Sequence, residues 1–252
     1  AMPAAGGGGQ DGEVAVPTTR DGGAGVTLSS GLLDATFVPE LGMVGVSLRH
    51  AGHELLALPG GLDGYRAGNV TGLPLLAPWA NRLGASRYEV ENVVVDLADL
   101  PLHTDGHGLP IHGTMSARPG WEVVATAPRR LAARFEFGAQ PDLLASFPFP
   151  HELRIDVAVE ASTLTVDTTV VPTSDRSVPL AFGYHPYLRL PSARRADTHL
   201  RLPRRRHLEH PGIIEGRLAR FEIRVGPNRR QLVQALRVGC DLDVEDLLVR
   251  LA

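Results

Sequence analysis

Apolar and polar residues alternate with a period of two along most of this chain, from about residue 26 to about residue 225. Residues 153–160 show it most clearly, and residues 131–137 and 164–170 repeat it. Side chains along a β-strand point alternately to opposite faces, so this pattern predicts strands that bury one face. A chain patterned in this way cannot bury its apolar residues as an array of helices.

Further strands are predicted at 32–38, 43–49, 87–97, 121–127, 178–184 and 198–202. Clusters of Gly, Pro, Asp and Asn separate them, as is typical of turns. No long amphipathic helix and no internal repeat interrupts this region. Many short strands with turn signals predict an all-β fold, a large antiparallel β-sandwich, rather than alternating strands and helices.

The two ends of the chain differ from this body. Residues 1–25 are rich in Gly and Ala and poor in apolar side chains, which predicts a flexible tail. At the other end, Leu232, Val233 and Leu236 have helical spacing, and a second helical pattern occupies residues 243–251. We therefore predict one domain over residues 26–252, with a short helical tail at 228–252.

Composition excludes several kinds of chemistry. All 25 basic residues are arginine, so neither a Schiff-base lysine nor a P-loop lysine is available. Cys240 is the only cysteine, which excludes an intrachain disulfide and a cysteine-based zinc cluster. A net charge of −3 gives no general attraction to nucleic acid or to an anionic membrane. Without a membrane-length apolar run or a signal-peptide pattern, we expect a cytoplasmic protein.

One histidine is held between two tyrosines in residues 182–187, Phe-Gly-Tyr-His-Pro-Tyr. Pro186 fixes its own φ and favours an extended backbone at His185. The apolar residues before it predict that His185 lies at the end of a buried strand. Imidazole titrates near neutral pH and aromatic faces suit the C–H face of a sugar, so a catalytic role competes here with a purely structural one.

A second polar motif ends an apolar, proline-containing segment, at residues 78–82, Pro-Trp-Ala-Asn-Arg. Arg82 carries a rigid fork of donors that suits sugar hydroxyls, and Asn81 can help to orient it. The alternative is a surface arginine that follows a turn.

A third motif surrounds His112 with glycine and proline, at residues 106–113. This composition allows close backbone approach and a fixed ring, so His112 is a candidate for acid–base work or substrate binding. Metal binding is an alternative, because His103 and His107 lie close in sequence to His112. His207, Glu209 and His210 form a second cluster, although neither spacing defines a coordination geometry.

Taken together, these motifs resemble the aldose 1-epimerase (galactose mutarotase) family. The resemblance rests on residues 78–82, then Ile-His-Gly at 111–113, then Gly-Tyr-His-Pro-Tyr at 183–187, in the family's order and spacing. It extends over residues 31–216 and includes Phe-Val-Pro-Glu-Leu-Gly-Met at 37–43. It is strongest with the shorter bacterial branch of the family.

The resemblance implies a β-sandwich with an open sugar cleft, no cofactor and no metal. It implies that the protein interconverts the α and β anomers of a free aldose by opening and closing the sugar ring. In this family a carboxylate takes the C1 hydroxyl proton while a histidine protonates the ring oxygen. By motif, His185 is that acid, and His112 hydrogen-bonds the ring oxygen or a hydroxyl.

The resemblance also implies binding residues and partners. Arg82 binds sugar hydroxyls with Asn81 beside it, and Tyr187 and Trp79 form walls of the pocket. The implied partner is a small sugar, not nucleic acid or a membrane, and the implied assembly is a monomer or a homodimer.

The C-terminal part departs from the family pattern, because no counterpart of the segment that carries the general-base glutamate is recognisable. The late glutamates are Glu209, Glu215, Glu222 and Glu245. Either another glutamate, such as Glu222 or Glu245, supplies the base, or the chain is a catalytically weak or inactive carbohydrate-binding protein of the same fold. The histidine spacing leaves a second alternative, a metal-dependent, cupin-like enzyme that uses His103, His107 and His112.

Overall fold

A computed structural model describes residues 25–189, 218–225 and 232–238, with side chains in the first of these ranges. Residues 1–24 of the predicted N-terminal tail lie outside the described residues. So do the strand predicted at 198–202 and residues 239–252.

Strands dominate the described chain, and two short α-helices accompany them. In chain order the strands are β1 (Val26–Ser30), β2 (Leu33–Val38), β3 (Val44–His50), β4 (His53–Glu54), β5 (Leu75–Leu76), β6 (Arg87–Val90), β7 (Val93–Asp96), β8 (Glu122–Ala127), β9 (Arg130–Glu136), β10 (His151–Glu160), β11 (Thr163–Pro172), β12 (Gly183–Tyr184), β13 (Leu218–Val225) and β14 (Leu232–Val238). The helices are α1 (Gly61–Arg66) and α2 (Pro141–Ser146). Among the described residues, no helix has the length and apolar character needed to cross a membrane.

Two antiparallel sheets carry most of these strands. One has four strands in the order β1-β2-β3-β4, and the other has six in the order β14-β13-β11-β10-β9-β8. Two smaller pairs, β5 with β12 and β6 with β7, complete the set. All the named strand pairs are antiparallel, which confirms the fold class predicted from the alternating pattern.

The alternating residues meet in one core between the two sheets. In β10, Leu153, Ile155, Val157 and Val159 are at most 1% exposed, and they share a cluster with Phe37 and Leu48 of the four-stranded sheet. Backbone contacts join the sheets at one edge, since the amide of Ser29 donates to the carbonyl of Pro128 at 2.8 Å. Burial of these apolar faces is the main stabilising term of a sandwich.

Two strand predictions differ from the structure. Residues 87–97 form a hairpin, β6 and β7, because Glu91 and Asn92 take positive φ angles of 53° and 58° and make a tight turn. In the range predicted as a strand at 178–184, only Gly183–Tyr184 is regular, since Pro179 lacks the N–H that a ladder requires.

The helix predicted from Leu232, Val233 and Leu236 is wrong. These residues form β14, which pairs antiparallel with β13 from Ala219↔Val238 to Val225↔Leu232. A short apolar run fits both periods, and the free edge of β13 offers backbone partners that a helix does not use. The rest of the predicted helical tail lies outside the described residues.

A short ladder of backbone hydrogen bonds holds three loop segments together near one end of the sandwich. We call residues 74–83 the central segment. On one side, the amide of Ala80 donates to the carbonyl of Ala181 at 2.7 Å, and β5 pairs with β12. On the other side, the amide of Thr114 donates to the carbonyl of Ala77 at 2.7 Å.

Gly113 is required where that ladder is tightest. Its φ is +67°, and a Cβ added there would lie 2.0 Å from the carbonyl oxygen of Ala77. Any side chain at this position would both adopt an unfavourable backbone conformation and overlap the neighbouring peptide.

We expect Gly113→Ala to lower the free energy of unfolding by about 2–5 kcal/mol, from left-handed strain plus overpacking. Urea unfolding followed by tryptophan fluorescence measures this. Gly84→Ala is the matched control, because a Cβ at Gly84 meets nothing within 4 Å. Equal unfolding midpoints for the two variants would contradict this explanation of Gly113.

A buried histidine lies in an aromatic cluster at the start of β10. His151 is 3% exposed, stacks on Phe137 with ring centroids 4.3 Å apart, and donates from Nδ1 to the carbonyl of Phe149 at 2.6 Å. Burial lowers the pKa of His151 from 6.5 to about 4, with the hydrogen bond to Phe149 opposing it. The neutral imidazole is therefore the form that the fold favours.

Stability should fall as pH drops from about 6.5 to about 4, because the unfolded chain binds a proton at His151 before the folded protein does. The contribution lost is on the order of 3 kcal/mol. Chemical unfolding at several pH values measures it. We expect His151→Gln to flatten this dependence, whereas His53→Gln, at an exposed histidine of β4, should leave it unchanged. The same pH dependence in both variants would contradict the assignment.

Candidate active site

The central segment presents Asn81 and Arg82 at its exposed end. Both residues are exposed, whereas residues 71–80 before them are buried. The backbone of Arg82 bridges to Ile111, and the amide of Leu83 donates to the carbonyl of Pro110 at 2.9 Å. Backbone pairing thus brings the second and third sequence motifs side by side.

His112 is fixed by both its backbone and its ring. Its φ of 67° lies in the left-handed region, which non-glycine residues seldom adopt. The amide donates to the carbonyl of Asn81 at 3.3 Å, and ring Nδ1 lies 3.1 Å from the carbonyl oxygen of Ala80. A carbonyl can only accept, so Nδ1 carries the hydrogen. In the neutral ring, Nε2 is then the acceptor.

His185 lies deeper than His112. It is 3% exposed, directly after β12, and its amide donates to the carbonyl of Pro74 at 3.3 Å. Its ring stacks on that of Tyr187, with centroids 4.7 Å apart and an interplanar angle of 21°. Tyr187 is anchored in turn by its amide, which donates to the carbonyl of Gly72 at 2.8 Å.

Four rings from two segments form a row. The rings of His112 and His185 meet edge to face, with centroids 5.5 Å apart at 82°, and Tyr187 continues the row beyond His185. On the other side, the exposed His103 lies nearly parallel to His112 at 6.3 Å. Two imidazoles from motifs about 70 residues apart in sequence are therefore neighbours in the fold.

An ion pair links Arg82 to Asp105, a residue to which sequence reasoning gave no role. The Nε–H of Arg82 donates to one carboxylate oxygen of Asp105. The other oxygen accepts from the amides of His107 at 2.8 Å and Leu109 at 3.0 Å. The Asp105 side chain is 6% exposed and that of Arg82 is 44% exposed.

These contacts stabilise the charged form of Asp105. The hydrogen bond from Leu109, with those from His107 and Arg82, holds the pKa of Asp105 down to about 2 against the effect of its burial. A carboxylate with so low a pKa has little affinity for a proton at neutral pH, so it is a poor general base. The Asp-Gly sequence at 105–106 was a signal for an Asx turn, but it did not identify Arg82 as partner.

Trp79, which is expected to form a wall of the pocket, is almost fully buried. It is 5% exposed and belongs to a small cluster with Val95 and Leu97, with the ring of Tyr88 edge-on at 6.4 Å. Its indole N–H finds no hydrogen-bond partner among the described residues. Packing against these side chains accounts for its position.

The structure describes one of the two candidate metal clusters and one of the late glutamates. Across residues 25–189, 218–225 and 232–238, no three His, Cys, Asp or Glu side chains are grouped so that they could hold a metal ion. His207, Glu209 and His210 lie outside this part of the chain, as do Glu215 and Glu245. Glu222 lies in β13, where its backbone partner is Thr165.

The arrangement can exchange protons and bind hydroxyl groups. When its ring is neutral, His112 has its acceptor at Nε2; His185 is a second imidazole beside it, and Arg82 has donors beyond its Nε–H. Tyr187 and His185 present stacked rings of the kind that pack on sugar C–H faces. No residue in the described ranges is assigned as the base.

Comparison with solved structures agrees with the fold. The chain is similar in fold to a galactose mutarotase-like protein from Clostridium acetobutylicum, with 21% identity and a TM-score of 0.56 over 66% of this chain and 50% of that one. A GalM/aldose epimerase homologue from C. elegans gives 19% identity and a TM-score of 0.54 over 69% and 52%. A galactose 1-epimerase from Lactobacillus acidophilus gives 18% and 0.52 over 65% and 48%. The chain thus spans about half the length of these structures.

No curated protein matches the sequence. The family model described as aldose 1-epimerase, in contrast, matches residues 26–210, which include all three polar motifs. This chain therefore belongs to the aldose 1-epimerase family.

Proposed function

We propose that this protein interconverts the α and β anomers of a free aldose by acid–base opening of the sugar ring. The observation that carries the proposal is the edge-to-face pair of His112 and His185, with ring centroids 5.5 Å apart, next to the backbone bridge that joins Arg82 to Ile111. In this proposal, one sugar ring contacts both imidazoles and the guanidinium of Arg82.

In the proposed reaction, a general-base carboxylate takes the proton of the C1 hydroxyl and His185 supplies a proton to the ring oxygen. The C1–O5 bond breaks, the C1 hydroxyl becomes an aldehyde, and rotation about C1–C2 exposes its other face. Ring closure reverses both proton transfers, so atoms and charge balance without a cofactor. Through Nε2, the neutral ring of His112 accepts from a sugar hydroxyl and its protonated ring donates to the ring oxygen, because Ala80 holds Nδ1.

Substrate binding is assigned to the groups around these rings. Arg82, with Asn81 beside it, donates to sugar hydroxyls, and Tyr187 lies against one face of the sugar. Trp79 is proposed as a further wall of the pocket. The carboxylate that would take the C1 proton is not assigned within the described residues, which keeps open a carbohydrate-binding protein of the same fold without turnover.

We further propose a cytoplasmic protein with one domain over residues 26–252, acting as a monomer or a homodimer and without nucleic acid. A single cysteine fits a reducing compartment, and a net charge of −3 gives no general attraction to polyanions.

Galactose is the first probe, since proteins of similar fold carry it in their names. We expect NMR exchange spectroscopy to show faster α–β exchange of D-galactose with the protein than in buffer. His185→Ala should lower the rate above background by a factor of about 10²–10⁴, and His112→Ala by a smaller factor. His53→Ala, at an exposed histidine of β4, should behave like the unaltered protein.

An unchanged exchange rate in His185→Ala would contradict the enzymatic assignment. Galactose binding without any rate enhancement by the unaltered protein would favour the carbohydrate-binding alternative.

A further inference from the structure

We infer that Asp105 is a positioning residue, which orients the guanidinium of Arg82 toward a bound sugar and fixes the loop that carries His112. The inference rests on the proposed function, because it assigns Asp105 a role at the same sugar site.

The first support is that the two carboxylate oxygens of Asp105 have different hydrogen-bond partners. Oδ1 accepts from the backbone amides of His107 and Leu109, at 2.8 and 3.0 Å. Oδ2 accepts from the Nε–H of Arg82. One side chain therefore closes a loop and holds a cation, and each task uses its own atom.

The second support is the burial of this carboxylate. The Asp105 side chain is 6% exposed, although the surrounding loop is mostly exposed. A charge taken out of water in this way costs free energy unless it is paired and hydrogen-bonded. Three donors satisfy it here, and the pKa of about 2 shows that the charged form is the one stabilised.

The third support is what remains free on Arg82. Asp105 uses only Nε–H, and within the described part of the chain no hydrogen bond uses the terminal nitrogens of Arg82. A guanidinium is planar and rigid, so a hydrogen bond at Nε restricts the orientation of the whole fork. The terminal N–H groups are then aimed in one direction before a ligand arrives, which lowers the ordering cost of binding.

The fourth support is the path from Asp105 to His112. The amide of Asp105 donates to the carbonyl of Leu109 at 2.9 Å. Beside this bond, the backbone of Thr104 bridges to Pro110, and that of Ile111 bridges to Arg82. Asp105 therefore connects the two elements that carry Arg82 and His112.

Asp105→Asn separates the two tasks. An asparagine retains an oxygen that can accept from the two amides, but it loses the charge and can place an N–H against Nε of Arg82. We expect the KM for D-galactose to rise about tenfold with kcat changed by less than about twofold, as for loss of a binding contact kept through the reaction. Asp156→Asn is the matched control, since Asp156 pairs with Arg130 on β9, remote from the rings.

A double-mutant cycle distinguishes positioning from general destabilisation. If Asp105 acts through Arg82, Asp105→Asn should have no further effect on KM in an Arg82→Gln background. Additive effects of the two substitutions would overturn the inference. So would a KM in Asp105→Asn equal to that in Asp156→Asn.

A readout without sugar keeps the inference testable whether or not the protein is an enzyme. In ¹⁵N NMR spectra, the Nε–H signal that disappears in Arg82→Gln belongs to Arg82. Its exchange with water should be at least about tenfold faster in Asp105→Asn and unchanged in Asp156→Asn, because a held Nε–H exchanges slowly. Equal exchange rates would overturn the inference.

The outcomes for the two proposals differ. Absence of catalysed anomer exchange refutes the proposed function, and the dissociation constant for D-galactose then replaces KM in the same comparison. If the unaltered protein neither turns over nor binds D-galactose, the sugar-directed role of Asp105 fails as well, even if the NMR result shows that it holds Arg82.

Discussion

The backbone hydrogen bonds of the central segment are the constraint on which the site depends. This segment has a neighbour on each side, since Ala80 bonds to Ala181 and the carbonyl of Ala77 accepts from Thr114. The three polar motifs lie apart in sequence, yet the ladder fixes the position of each one relative to the others to within one residue. The tolerance is small because Gly113 passes so close to Ala77 that a Cβ would overlap it. Displacing any one segment would therefore move a histidine or Arg82 relative to the others.

A side-chain contact connects this ladder to the β-sandwich. Tyr184, which precedes His185, is buried and shares a 2.6 Å hydrogen bond with Thr168 of β11. This contact connects the His-Pro-Tyr motif to the six-stranded sheet, so the position of His185 follows from packing in the core. Burial also raises the pKa of Tyr184, which keeps its hydroxyl protonated as a structural partner.

The ion pair at the site joins Arg82 to Asp105, whose carboxylate oxygens are both hydrogen-bonded. Asp105 is the acid that the structure brings to Arg82, but its hydrogen bonds hold it in the ionised form, and this suits an acceptor better than a base. The two histidines are arranged differently, with Nδ1 of His112 held by a carbonyl and both rings in contact. The acceptor and the two imidazoles thus have separate environments, as the proposed division between orientation and proton exchange requires.

The sequence by itself determined the strands, the apolar face of each and the residues of the three motifs, because strand periodicity and proline or glycine constraints act over a few residues. It did not determine β14, since Leu232 and Leu236 fit a helix and a strand equally well until β13 supplies an edge. It did not show that Trp79 packs against Val95 and Leu97, because those contacts form only in the folded chain. It also missed Asp105, because the partner that gives this residue its role is 23 residues away. Only the tertiary structure brings those two charges together, since ion pairing depends on distance in space and leaves no periodic signal along the chain.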